Sequence, residues 1–244
     1  MRTAVVVLAC CAWAADASAA TDRQSRVFPW HAGRVLAIEI TNGAVRIEGG
    51  RREAVDLAIQ RTAPTTQGLA DLAVVVDETP ERVTIRIVQP EGRTDAAFTS
   101  DLVLRVPEDA ELSTVRIGEG RLVVQRFHGR LSAEVRRGPI EATDVSGTLR
   151  LETGIGNLTI SQARLVPDGL LRLRAFNGDV RLRLPKPPEN ARVLALALNG
   201  RIRSDLPMTT RDSWGPRWSE ATLGTGEPVI SVDVVNGSID IQTR

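Results

Sequence analysis

Glu134 and Glu152 stand 18 residues apart in matching local contexts, Ala133-Glu134-Val135 and Leu151-Glu152-Thr153. If the chain advances by that distance per structural repeat, the two carboxyls stack. Paired carboxylates do general acid–base work and cleave glycosidic bonds. An outward polar position also selects glutamate for solubility alone, so the pair by itself assigns no activity. The chain has two histidines and no tyrosine. Spacing gives His128 no serine or aspartate partner, and His31 stands apart, so a Ser-His-Asp triad is unsupported.

Arginines offer a different chemistry. Arg181 and Arg203 each lie three residues beyond an Asn-Gly pair, Asn177-Gly178 and Asn199-Gly200. Stacked, they would form an anion site for a lipid or sugar acid. The flanking positions oppose Asp179 to Arg201 and Arg183 to Asp205, and like charges side by side are unfavourable unless neutralised. A self-neutralised outer face is the preferred reading. Trp214 and Trp218 flank Gly215-Pro216-Arg217, and flat aromatic faces suit sugar rings or partner pockets. Trp214, Trp218, Arg181 and Arg203 are therefore the candidate ligand contacts, with packing over an exposed end as the plainer role for the tryptophans.

The elements that would position these side chains are marked by glycine. Gly120, Gly129, Gly138, Gly147 and Gly156 recur every nine residues, and each opens a similar short pattern, as in Gly120-Arg-Leu-Val-Val and Gly156-Asn-Leu-Thr-Ile. A fixed period marks stacked units that bury their apolar faces against one another. Position 3 of each unit is Leu122, Leu131, Ile140, Leu149 or Leu158, and position 5 is Val124, Ala133, Ala142, Leu151 or Ile160. Period-two alternation places both positions on one face of a strand. Two units per coil predict a turn of about 18 residues, stretching to about 22 beyond Gly156, with Gly178, Gly200 and Gly237 as further corners. Asn-Gly between alternating strands is also a hairpin signal, so an antiparallel β-meander is the alternative to a β-solenoid. Calcium-binding β-rolls share the nine-residue period, but these units lack paired glycines and Asp144 is their one aspartate. Calcium needs six to eight oxygens, several of them from carboxylates, and no metal or cofactor is expected.

Upstream, alternating runs predict strands at 35–40 and 44–47, either side of Thr41-Asn42-Gly43, and again at 54–59, 73–76, 83–88 and 102–107. A helical turn or two is expected near Gln67–Leu72. Pro185-Lys-Pro-Pro188 and the stretch from Pro207 to Pro228 read as loops, the second as a cap over an end strand.

Residues 1–20 read as a secretory signal: a basic start at Arg2, an apolar run from Ala4 to Ala15, and Ala17-Ser18-Ala19 as the small-residue site. Val7-Leu8-Ala9-Cys10 resembles a lipoprotein box, but its apolar run is short, so a lipid anchor at Cys10 is not expected. Cleavage near Ala20 removes both cysteines and with them disulfide and thiol chemistry. The domain reading is 1–20 signal peptide, 21–34 linker, and 35–244 one β-solenoid domain. Net charge is +1, from 31 basic and 30 acidic residues, which implies no nucleic-acid partner. No later apolar run is long enough for a transmembrane segment.

Taken together, the run from Asp101-Leu-Val-Leu-Arg-Val-Pro107, through the glycine units, to Val235-Asn236-Gly237-Ser-Ile-Asp-Ile241 resembles the bacterial "putative adhesin" β-strand-repeat domains of unknown function. The resemblance spans Val35 to Ile241. It implies a β-solenoid and an exported protein, and it brings no catalytic residues to carry over. The expectation is a non-catalytic binding or structural module of the bacterial cell envelope, periplasmic, secreted or at the surface, with a protein or glycan partner. The alternatives are a polysaccharide-acting enzyme using Glu134 and Glu152, or an envelope stress or assembly accessory.

Overall fold

The computed structural model describes residues 19–89, 97–211 and 216–243. The signal-peptide reading at 1–18, Cys10 included, and Trp214 lie outside them. Among the described residues the fold is all-β apart from one short helix. Its elements begin with β1 (Ala20–Pro29), β2 (Val35–Gly50), β3 (Ala54–Ala63), α1 (Thr66–Asp71), β4 (Ala73–Glu78), β5 (Arg82–Val88) and β6 (Thr99–Pro107). The glycine region holds β7 (Glu111–Phe127), β8 (Arg130–Arg137), β9 (Ile140–Val145), β10 (Thr148–Ile155) and β11 (Leu158–Ala163). There follow β12 (Leu170–Asn177), β13 (Val180–Leu184), β14 (Ala191–Asn199), β15 (Ile202–Ser204), β16 (Thr209–Arg211), β17 (Arg217–Leu223), β18 (Val229–Asn236) and β19 (Ile239–Thr243).

These strands form one large, mostly parallel sheet arranged as two ranks. The first rank runs β4-β5-β2-β7-β8-β10-β12-β18-β14-β17-β16, and the second runs β1-β3-β6-β2-β7-β9-β11-β13-β19-β15. The long strands β2 and β7 bend through both ranks; the two runs at 35–40 and 44–47 are halves of β2. The strands on either side of Asn177-Gly178, Asn199-Gly200 and Asn236-Gly237 do not pair with each other. Each pairs in parallel with a strand from another repeat, so the meander is set aside. Antiparallel pairs are confined to the two ends, at β1–β3–β6, β4–β5 and β14–β17–β16.

Inward side chains of both ranks join one core, from Ile38 and Leu36 through Leu122, Val124, Leu131 and Ile140 to Ile230 and Ile239. The nine-residue period is half of an 18-residue step, since β8 pairs with β10 at 130↔148 and β9 with β11 at 140↔158. The next step in the first rank is 22 residues, at 148↔170.

Close stacking explains the glycines more completely than bending alone. Gly43, Gly120, Gly138, Gly156, Gly178 and Gly237 all have positive φ, from 136° to 153°. A Cβ on Gly138 would collide with the carbonyl oxygen of Gly120, one on Gly156 with that of Gly138, and one on Gly178 with that of Gly156. Gly129 and Gly147 belong to a second column at the opposite corner, where Gly129 sits against the Ala110 carbonyl and Gly147 against that of Gly129. Gly129 and Gly200 do not adopt positive φ. At those two positions it is the close approach of the neighbouring backbone that excludes a side chain.

Two stretches differ from expectation. Residues 21–34, expected as a linker, contain β1, which pairs with β3 over its full length. Its polar alternation is that of an edge strand, and the salt bridge from Arg61 to Asp22 ties it down. That hydrogen bond, with a second from Gln24, holds the Asp22 carboxyl below the usual range. Arg34, 5% exposed, anchors the following turn by donating to the Pro29 carbonyl (2.5 Å), Glu78 Oε1 (2.8 Å) and the Thr79 carbonyl (2.7 Å). The stretch from Pro207 to Pro228, expected as a loop, contains β16 and β17, and β17 covers the outer edge of β14. The expected helix is α1, capped by Thr65 Oγ1 accepting from the Gly68 amide at 3.0 Å.

Candidate binding face

The outward face of the first rank carries the side chains with most chemical potential, because in-register strands align them in rows about 4.8 Å apart. One row reads Arg86, Glu39, Arg116, Glu134, Glu152, Arg174, Asp233, with one residue from each successive strand. Glu134 and Glu152 are direct neighbours, as the 18-residue spacing predicts. Each carboxylate has a guanidinium on its other side: Arg116 lies 3.9 Å from Glu134 and Arg174 lies 3.7 Å from Glu152. Arg116 also reaches Glu39 at 3.1 Å. Both glutamates are more than half exposed. The row alternates in charge except where these two carboxylates meet.

The adjacent row is different. It runs Ser132, Arg150, Arg172, Ser231, with Arg150 and Arg172 in register on neighbouring strands. Both are exposed, and neither has an ion-pair partner among the described residues.

A third row is apolar. Ala197, Val234 and Ala175 are in register, as are Asn199, Asn236 and Asn177, so Leu198, Val235 and Phe176 align between them. Phe176 is 55% and Leu198 47% exposed. In β14 the usual alternation is inverted in size: Ala195 and Ala197 point into the core while Leu194, Leu196 and Leu198 point out. Trp218 on β17, 37% exposed, is in register with Leu196 and continues the patch. The asparagines beside it form a ladder, Asn199 donating to Asn236 (2.8 Å) and Asn236 to Asn177 (2.7 Å). Of this patch only Trp218 was singled out from the sequence. The available signal was the run Leu194-Ala-Leu-Ala-Leu198, whose alternation does not say which set faces the core.

The predicted arginine stack does not form. Strand β19 lies between β13 and β15, so Asp240 is in register with both Arg181 and Arg203. Asp179 faces Ser238 instead of Arg201, its Oδ1 accepting from the Ser238 amide at 2.8 Å. Arg183 faces Gln242 instead of Asp205, donating to its Oε1 at 3.1 Å. Strand order across this rank is not chain order. A shared aspartate still separates the two arginines.

His128 has partners that spacing did not reveal. Its Nδ1 is 3.0 Å from Ser146 Oγ, and its Nε2 is 3.3 Å from Arg164 Nη2, which also bonds Asp144 at 2.7 Å. A guanidinium only donates, so Nε2 accepts and the proton on Nδ1 points at the serine. In that arrangement the imidazole has no lone pair to receive the Ser146 proton, and the cluster clips neighbouring corners together.

Beside these corners a groove of about 520 Å³ runs between the loops, lined by Leu165, Pro167, Pro185, Lys186, Pro188 and Pro228 among others. Lys186 is paired with Glu189, three residues along the same loop, at 3.6 Å. No group of three or more potential metal ligands occurs among the described residues, and no helix there is long and apolar enough to cross a membrane.

No family model matches the chain, and no curated protein matches it. Solved structures similar to it include a "putative cell adhesion protein" from Clostridium sporogenes, at 12% identity and TM-score 0.40, covering 91% of this chain and 100% of that one. A "putative adhesin" from Bacteroides fragilis shares 10% identity at TM-score 0.44, covering 91% and 97%. A "putative lipid binding protein" from Parabacteroides distasonis shares 11% at TM-score 0.31, with the same coverage. Structures named as bacterial adhesins are thus among its neighbours. Likeness at this level leaves partner and chemistry open.

Proposed function

We propose that this protein is an exported, non-catalytic β-solenoid serving as an adhesin-like binding or structural module of the bacterial cell envelope, in the periplasm or at the surface. The two parallel ranks, advancing 18 to 22 residues per step around one core, support the solenoid. The observation that carries binding is the apolar row of Leu198, Val235 and Phe176 with Trp218 beside it. Contiguous apolar surface on an otherwise charged face marks an interaction site, and aromatic side chains are the usual anchors of such sites. The partner is a protein or glycan of the envelope.

Purified protein should co-sediment with isolated envelope material, and the Phe176→Ser/Leu198→Ser/Trp218→Ser variant should lose that association while keeping its circular dichroism spectrum. Equal sedimentation of both proteins refutes the reading. Export is checked by mass spectrometry of the native N-terminus, expected near Ala20, where β1 begins. A start at a lipidated Cys10 would replace free export with a membrane tether. Glycan depolymerisation that disappears in a Glu134→Gln/Glu152→Gln variant would establish the enzyme instead.

A further inference from the structure

We propose that the same face carries an anion site for an acidic glycan, centred on Arg150 and Arg172. The inference rests on the binding-module reading but uses residues separate from the apolar row.

Charge placement is the first observation. On this face Arg116, Arg174 and Arg192 each have a carboxylate within 4 Å, whereas Arg150 and Arg172 have none among the described residues, although they stand directly side by side. Two like charges in register on adjacent strands cost stability. Planar guanidinium groups side by side suit an oxyanion that accepts from both.

A defect in the sheet beside them is the second. Strand β7 is in register with β8 at Leu112↔Leu131 and again at Val115↔Ala133, so Ser113 and Thr114 together face Ser132. This bulge leaves Ser113 Oγ buried without a hydrogen-bond partner among the described residues. Bulges are over-represented next to functional sites, where they re-aim side chains. Two adjoining hollows open here, of about 280 and 440 Å³, and share Ser132 and Arg150 in their walls.

The lining decides the ligand class. Arg150 and Arg172 would take a carboxylate or sulfate, while Glu134, Glu152 and Ser132 accept hydrogen bonds from hydroxyls. The apolar side chains at these walls, such as Val115, Ala133 and Leu151, are core residues with almost no exposed surface. A polyhydroxylated anion fits such a wall, and an acyl chain finds nothing to cover. A linear chain of sugar acids could lie across the open strands, its successive charges meeting Arg172 and Arg150.

The test uses the mature protein and polygalacturonate, measured by titration calorimetry, with neutral dextran and phosphatidylglycerol vesicles as the other arms. Polygalacturonate should bind, more weakly as salt rises; dextran and vesicles should not. Arg150→Ala/Arg172→Ala should weaken binding about tenfold or more, a loss of about 1.4 kcal/mol per tenfold. Arg150→Lys/Arg172→Lys should recover part of it, and Arg181→Ala/Arg203→Ala, on the other rank, should stay within about twofold of wild type. No binding of polygalacturonate, equal binding by the Arg150/Arg172 double variant, or preference for the vesicles overturns the proposal. If it is overturned while the apolar-row variant still loses envelope association, the binding module stands and only the glycan site falls.

Discussion

Gly138→Val tests whether the glycine column holds the ranks together. Gly138 has φ of +136°, which L side chains rarely adopt, and a Cβ there would run into the Gly120 carbonyl of the preceding repeat. Strain at such a position costs about 1–3 kcal/mol. Relieving the collision means displacing Gly138 from its place between two neighbouring repeats, where one hydrogen bond runs to the preceding repeat and two run to the following one. Gly138 N donates to Ile155 O at 2.7 Å, Leu122 N to Pro139 O at 3.1 Å, and the buried Thr153 hydroxyl to Gly138 O at 2.9 Å. Losing two of them adds about 2 kcal/mol at roughly 1 kcal/mol each. The total is about 3–5 kcal/mol. At about 2–4 °C per kcal/mol for a chain of this size, the melting temperature should fall by roughly 6–20 °C. Arg130→Val is the control: its side chain is exposed on a strand that tolerates β-branching, and its change should stay within about 0.5 kcal/mol. Thermal and urea unfolding, followed by circular dichroism on both variants and wild type, make the comparison. Equal midpoints for Gly138→Val and Arg130→Val would refute the account of the glycines as close-approach corners.

Other outcomes follow from the same contacts. Asn236→Ala breaks both rungs of the asparagine ladder and should cost about 1–2 kcal/mol in urea unfolding, whereas Asn199→Ala breaks one and should cost about half that. Arg34→Met removes three donated bonds from a buried guanidinium and should destabilise by about 2–4 kcal/mol, seen first as faster amide exchange in β1 and β4. Because the Arg61 hydrogen bond lowers the Asp22 pKa, the stability it contributes is present above the ordinary carboxylate value and is lost as pH falls through the lowered one. Amide exchange in β1 should therefore quicken on acidification below about pH 4, and Asp22→Asn should remove that pH dependence.

Much of the architecture was legible along the chain. Alternation located β5, β6 and the glycine-region strands, because a half-buried strand shows its two faces in consecutive residues. β1 was missed because an edge strand with water on one side has a weak alternation, here Thr-Asp-Arg-Gln-Ser-Arg. The Glu134–Glu152 stack was readable because both residues lie within regular 18-residue steps. Ser146 beside His128 obeys the same step, since 128 and 146 are 18 apart, and could have been found by it. The apolar row and the Arg150–Arg172 pair needed the fold. Each depends on which face of a strand turns outward and on which strand lies next to it.

The amino-acid sequence by itself determined the local rules: a corner every nine residues in the glycine region, large apolar side chains on one face of most strands, and glycines at corners where a neighbouring carbonyl presses close. These rules follow from spacing and sterics within a few residues. Stacking order was decided only in three dimensions. Strand β2 sits between the β5–β6 pair and β7, and the β18–β19 pair sits between β12–β13 and β14–β15. Asn42-Gly43, Asn177-Gly178, Asn199-Gly200 and Asn236-Gly237 offer the same corner and the same strand edges, so backbone pairing alone ranks no neighbour above another. The order observed in space sets the partners of Arg181 and Arg203 and the apolar row of the outer face.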